Sequence, residues 1–381
     1  MMKNIYTTII TLAIFAGFVV LSHSCKKEEN GVPVINYVRV TDPNASDSLI
    51  ASAFQGQLLA IMGENLQEAK ELWFNDKRSN LTPAYVSSKS ILASVPNEVP
   101  IDVTNTIKVL FNNGYELLYD FKVDISKPSV LSMPLEYVKD GDIAYIRGNY
   151  FYAPVTVTFP GGGVGDIVEL DDELIAVRVP AGAQPGRITV STNFGATESD
   201  FLFRDDRPML IHNESCGGWW NGCATIVNGS DPLAINGAFN RITRAIGSWA
   251  WVDWLGGPRP GIDTRNNLPN DAVLNPDKYV MKFEINTLKP YTSNMIKIMI
   301  GQVASPDPDW NTEPYFFRPP FDTKGKWQTV SIPFTEVSAG FKTNWGVNPD
   351  GYGVRILFSG NGALDADIAF DNLRVVPIEL D

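Results

Sequence analysis

One arrangement of short strands occurs twice in the first half of the chain, and it limits what the rest can build. Gln57-Leu58-Leu59-Ala60-Ile61-Met62-Gly63 matches Asp142-Ile143-Ala144-Tyr145-Ile146-Arg147-Gly148, 85 residues further on, and Phe74 matches Phe159 at the same spacing. Ile91-Leu92-Ala93-Ser94-Val95-Pro96 matches Ile175-Ala176-Val177-Arg178-Val179-Pro180 at 84 residues, and Asp120-Phe121 matches Asp200-Phe201 at 80. Motifs kept in order at shrinking offsets describe a duplicated module that has lost loop residues. Each block alternates apolar and polar residues and is bounded by Gly, Pro or Asn, which is strand patterning. The copies open at Pro33-Val34-Ile35 and Pro128-Ser129-Val130. Several short strands in each predict two small β-sandwiches.

Composition narrows the function classes. The chain carries 43 acidic against 31 basic residues, a formal charge of −12. Nucleic-acid binding needs clustered Lys and Arg, so no nucleic-acid partner is expected. Of the two histidines, His23 lies in the N-terminal segment. With His212 alone remaining, a His-based metal centre or a Ser-His-Asp hydrolase is not expected. That N-terminal segment has Lys3 followed by an apolar run from Ile9 to Leu21, the layout of a signal peptide. It ends in Leu21-Ser22-His23-Ser24-Cys25 and continues as Lys26-Lys27-Glu28-Glu29. The cysteine site resembles a bacterial lipobox, and the charged run resembles the surface-export signals of Bacteroidetes-type lipoproteins. Acylation at Cys25 would anchor the protein to a membrane without spanning it.

Beyond Asp206 the residue usage changes, because eight of the nine tryptophans lie there. A core of that size needs two or three, and the excess suits stacking against sugar rings, whose C–H faces dock on indoles. Strand alternation continues in Tyr279 to Asn286 and in Met295 to Ile300. Trp327, inside Gly325-Lys326-Trp327-Gln328-Thr329-Val330, reads as a packing residue. Trp249 and Trp251 share a face if Ser248 to Asp253 is extended. Gly256-Gly257-Pro258 predicts a loop that leaves Trp254 exposed. Trp219 and Trp220 are adjacent, so an extended segment aims only one at a ligand, and Trp310 sits in a Pro-Asp-Pro-Asp-Trp-Asn loop as an extra contact. In an exported protein, Cys216 and Cys223 can close a disulfide around the first tryptophan pair. Asp365, Asp367 and Asp371 read as a solvated edge before a calcium site, so no metal or other cofactor is expected.

The order Pro-x-Val, Gly148-Asn149-Tyr150-Phe151, Val157-Thr158-Phe159, Ala176-Val177-Arg178-Val179-Pro180 and Gly186-x-Ile188-Thr189-Val190 resembles the TIG (IPT) immunoglobulin-like fold. The first copy places its asparagine differently, in Gly63-Glu64-Asn65-Leu66. The region from 206 resembles the C-terminal domain of surface glycan-binding proteins encoded beside starch-utilisation-type importers. The resemblance implies an all-β chain: signal peptide 1–24, lipidated tether 25–31, Ig-like modules 32–125 and 126–205, and a larger jelly-roll-like glycan-binding sandwich 206–381. It implies non-catalytic binding of an extended polysaccharide, and a flat run of tryptophans favours a β-glucan such as xyloglucan or mixed-linkage glucan. The binder would face outward on the outer membrane and serve a TonB-dependent importer. The modules would act as spacers that hold no site. Trp219 or Trp220, Trp251 and Trp254 would form the platform, with Asn221, Asp253 and Asn311 donating or accepting hydrogen bonds. Two other readings are a glycoside hydrolase with a carboxylate pair and an adhesin for host glycan or protein.

Overall fold

The computed structural model describes residues 31–379 except 46, 208, 212–224, 228–230, 257–266, 303–312 and 342–344. In the first module, one antiparallel sheet orders as β2-β1-β4-β7, built from β1 (Val34–Val40), β2 (Leu49–Ile50), β4 (Leu58–Glu64) and β7 (Ser90–Ser94). The facing sheet, β6-β5-β8-β9, is built from β5 (Ala69–Phe74), β6 (Lys77–Ser79), β8 (Thr106–Phe111) and β9 (Glu116–Asp120). A short parallel pair, β3 (Ser52–Phe54) with β10 (Lys122–Asp124), closes one side. The second module repeats this plan. Its strands β11 (Ser129–Ser132), β12 (Ile143–Asn149), β14 (Asp166–Leu170) and β15 (Leu174–Arg178) order as β11-β12-β15-β14. Opposite them lies β13-β16-β17, from β13 (Thr156–Thr158), β16 (Thr189–Thr192) and β17 (Gly195–Glu198). Period-two alternation does the sorting: Ile107, Val109 and Phe111 are buried on β8, as Ala144 and Ile146 are on β12.

The duplicated glycines have one physical cause. A Cβ at Gly63 would land on the Val34 carbonyl oxygen, and a Cβ at Gly148 on that of Ser129. In each module the first strand carries a register shift beside this contact, between Ile35 and Tyr37 and between Val130 and Ser132. Gly63 donates to the Lys89 carbonyl at 2.9 Å and Gly148 to that of Glu173 at 3.0 Å. Two residues on, Asn65 and Tyr150 both adopt left-handed backbone (φ 57° and 62°), and the next side chains, Leu66 and Phe151, are buried. The displaced asparagine is therefore no register slip. Asn65 occupies the left-handed position that its side chain tolerates, and Tyr150 is forced into it.

The third region is a two-sheet antiparallel sandwich. Strands β19 (Thr225–Val227), β20 (Ala238–Ile246), β27 (Leu364–Pro377), β22 (Tyr279–Thr287) and β25 (Gln328–Pro333) lie side by side in that order, with β18 (Met209–Ile211) also pairing β27. Against them packs the sheet β21-β26-β23-β24, from β21 (Val252–Gly256), β23 (Ile296–Gly301), β24 (Tyr315–Phe317) and β26 (Gly353–Phe358). Leu364, Ala366, Ile368 and Phe370 of β27 enter the core between the sheets. Asn372, with φ 51°, then reverses the parity, so that Leu373 and Val375 enter it instead. On the opposite face of β27, Asp367 takes two bonds from Arg241 (2.7 and 2.9 Å), and Asp365 pairs with Lys289 at 2.7 Å. Two of the three acids read as a solvated edge are thus held in ion pairs.

The chain divides into two compact units between Ile125 and Ser126, so the second module shares a unit with the sandwich. Their junction is built from charge. Arg374 is fully buried and bonds Glu284 (2.9 and 3.1 Å) and Glu136 of the second module (2.8 Å). Lys282 reaches the other Glu136 oxygen at 2.6 Å, and Asp205 is chelated by Arg207 through two bonds of 2.9 Å. Three cations face three carboxylates, as burial of charge demands. Burial alone would raise the Asp205 carboxyl. The bonds from Arg207, together with the Arg374 and Arg207 charges, outweigh it and hold the group below its ordinary value. Around this network Tyr137 packs with Ala234, Ile235, Phe239, Trp327 and Ala369. The second module is accordingly no detachable spacer. Removing it would strand Arg374 and Lys282 and uncover an apolar cluster.

Candidate functional site

Among the described residues, the exposed tryptophans of the sandwich, Trp249 and Trp251, lie just before the edge strand of the sheet β21-β26-β23-β24. Ile296, Ile298 and Ile300 turn into the core from β23, as Val354, Ile356 and Phe358 do from β26, which puts the intervening residues on the other face, where Lys297 is half-buried and Met299, Arg355 and Leu357 are buried. Strand register then sets Asp253, Leu357, Lys297 and Phe316 in one row across the four strands. Trp251 enters β21 beside this row with its side chain 45% exposed. The Lys297 ammonium lies 5.7 Å from the Trp251 ring centre and the Arg355 guanidinium 5.8 Å. Lys297 is also 5.6 Å from the ring of half-buried Phe316, and Arg318 sits 4.8 Å from that ring. These separations are within cation–π range. The cations brace the rings against the sheet, and Arg355 is itself fixed by an Nε bond to Asp253 at 2.8 Å. Such a surface offers π-faces to an apolar sugar face and N–H donors to its hydroxyls.

Residues 203–377, which include this whole sheet, match the family model of the surface glycan-binding protein B xyloglucan binding domain. The match covers 175 of the chain's 381 residues. The surface glycan-binding protein PbSGBP-B from Prevotella bryantii shares the fold with a TM-score of 0.68 at 21% identity, over 92% of this chain and 99% of its own. SGBP-B from a complex xyloglucan utilization locus in Bacteroides uniformis gives a TM-score of 0.50 at 17% identity, over 91% and 100%. At these identities the likeness is one of fold. An IPT/TIG domain-containing protein from Bacteroides ovatus is 30% identical over 162 residues, 40% of this chain. That match spans about a third (33%) of the relative's length.

Within this glycan-binding-type domain the expected tryptophans separate. Trp251 is exposed. Trp254 is not, and the expectation that a loop leaves it exposed fails. Its side chain shares the inward parity of Val252, is 7% exposed, and packs on Phe358 and Phe370 with ring centres 5.2 and 5.5 Å away. Its indole N–H is satisfied inside by Asn240 Oδ1 at 2.6 Å. Trp249 and Trp251 do not share a strand face, because the strand begins only at Val252. Trp249 lies in a turn closed by the Ala250 amide on the Gly247 carbonyl (3.1 Å), with left-handed backbone (φ 60°) and 63% exposure. A bulky residue there is strained, and the strain presents an indole to solvent. Trp327 packs edge-on to Phe239, with its N–H on the Leu233 carbonyl at 2.9 Å, and Trp345 is buried beside Phe341 and Tyr352. Trp219, Trp220, Trp310, Asn221, Asn311, Cys25, Cys216 and Cys223 lie outside the described residues.

Lys297, Phe316, Arg318 and Arg355 did not stand out in the sequence. Alternation inside Met295 to Ile300 does aim Lys297 outward. That β24 and β26 flank it, and so bring Phe316 and Arg355 beside Trp251, is knowable only from the sheet order.

Proposed function

We propose that this chain is a non-catalytic, cell-surface glycan binder that holds an extended β-glucan, of the xyloglucan or mixed-linkage type, at the exposed tryptophans beside the edge strand of the sheet β21-β26-β23-β24. The observation that carries the reading is the exposed Trp251 ring, braced by Lys297 and Arg355, within the region matching a xyloglucan-binding domain family. Trp251 and Phe316 supply stacking, Trp249 extends the aromatic surface, and Lys297 and Arg318 donate to hydroxyls. Trp219 or Trp220 and Trp310 are further proposed contacts. Acylated Cys25 would anchor the protein outside the outer membrane, where it would pass glycan to a TonB-dependent importer. The lipobox-like sequence and the naming of relatives as surface glycan-binding proteins support that placement. Affinity electrophoresis against xyloglucan, mixed-linkage β-glucan, starch and fructan tests the ligand class. Retardation by the first two is expected, and retardation by starch or fructan alone would overturn the reading. Long incubation with the retarding glycan should release no reducing ends, and release that tracks the purified protein would favour a hydrolase.

A further inference from the structure

A concave site lies where the second module meets the sandwich, and Trp251 is not among its lining residues. The cleft encloses about 630 Å³, inside the range of small-ligand pockets. One wall is the outer face of β12, where Tyr145 is 44% exposed and Arg147 stands two residues on along the same face. The other wall is the 231–235 segment, with Leu233 58% exposed, and Lys326 to Gln328 at the entry to β25.

The floor and rim differ in chemistry. Floor groups are already engaged: the Tyr137 hydroxyl donates to the Asp205 carbonyl, the Trp327 N–H to the Leu233 carbonyl, and the Asn286 amide to the Gly325 carbonyl at 3.1 Å. At the rim, Arg147, Lys326 and Gln328 hold side-chain donors that no other described residue engages. Arg147, Lys139 and Lys326 are offset by Asp142 and Asp231, which leaves the lining near neutrality. The two walls are set by the Glu136–Arg374–Lys282 network, so the cleft exists before any ligand arrives.

We propose that this cleft is a second contact site for the same glycan, taking a neutral oligosaccharide segment or branch. The aromatic and aliphatic walls match a sugar's C–H faces, and the rim donors and acceptors match its hydroxyls. The lining keeps one net positive charge, too little to select a polyanion over a neutral chain. The inference rests on the glycan-binding reading and extends it from one site to two.

Hydroxyl-radical footprinting of the full chain, with and without saturating xyloglucan or mixed-linkage oligosaccharide, tests it. Labelling of Tyr145 and Leu233 should fall by about twofold or more, since a pocket covers most of its ligand's surface. In the doubly substituted Arg147→Ala, Lys326→Ala chain the fall should need about three- to tenfold more oligosaccharide, the effect of losing one or two hydrogen bonds. Both side chains are solvent-facing, so folding is spared. Protection of Trp251 with unchanged Tyr145 and Leu233 would overturn the second site and leave the glycan reading standing. Protection of Tyr145 that is identical in the substituted chain would also overturn it. No protection at Trp251, Tyr145 or Leu233 would remove both readings together.

Discussion

The two Ig-like modules share a hydrogen-bond frame but not an environment. In the first, Gly56 donates to the Val95 carbonyl and Val95 returns a bond to Gln57. In the second, Gly141 and Val179 do the same with Val179 and Asp142, every bond between 2.9 and 3.0 Å. The segments after the first strand diverge. There the first module uses Asp42 to cap its own exposed turn, accepting from the Asn44 amide at 2.8 Å. The second module spends the segment on Glu136, 4% exposed and bonded to Arg374 and Lys282. A duplicated scaffold thus became a unit of its own in one copy and part of the binding domain's foundation in the other. The frame is set by strand physics, and the attachment by one carboxylate.

The largest effect that separates the copies is expected at that carboxylate. Glu136→Ala leaves two buried cations short of a partner and should cost about 3–5 kcal/mol. Asp42→Ala, at an exposed turn, should stay within about 0.5 kcal/mol. Denaturant unfolding of the full chain followed by tryptophan fluorescence reads mainly the third region. Equal midpoints for the two variants would dissolve the contrast.

Next in size is the contrast between two cation-braced tryptophans. Trp73 of the first module has Lys108 at 5.4 Å and gives its N–H to Glu71 at 3.1 Å, much as Trp251 has Lys297 and Arg355. If the site belongs to the third region alone, Trp251→Ala should weaken glucan binding about thirtyfold, a hot-spot loss near 2 kcal/mol. Trp73→Ala should leave affinity within about twofold. Comparable losses in affinity gels would move the site onto the first module as well.

Trp254 sharpens the same comparison from inside the domain. Trp254→Phe keeps the ring stack but leaves the Asn240 side chain without its indole donor, at a cost of about 1–3 kcal/mol in stability. Affinity of the folded variant should stay within about twofold, measured by isothermal titration. A large affinity loss with unchanged stability would return Trp254 to the binding surface.

The smallest expected effect is in pH dependence. Asp205 is held below the ordinary carboxylate value, so its folded pKa lies under its unfolded one. Its contribution is complete above about pH 4 and is lost as pH falls through the lowered value. Unfolding midpoints measured from pH 5 downward should therefore fall less steeply for Asp205→Asn than for the unchanged chain. Parallel slopes would show that Asp205 carries no linked proton at the junction.

Alternation and turn residues alone placed β4 and β7 of the first module and β12 and β15 of the second, and the 85-residue echo of Gly63 in Gly148 marked the point where two backbones touch. These are local or pairwise effects along the chain, and a sequence displays them directly. The outward aim of Lys297 was legible for the same reason. The fate of Trp254 was not, because Gly256-Gly257-Pro258 argued for a loop. Only the core shows that Val252 and Trp254 share an inward parity, with Asn240 waiting as acceptor. Nor did anything in the neighbourhood of Glu136 name Arg374, 238 residues away, as its partner. Periodicity tells which face of a strand a side chain takes. Which strands become neighbours, and which buried charges therefore meet, is decided by register and sheet order, and those exist only once the chain has folded.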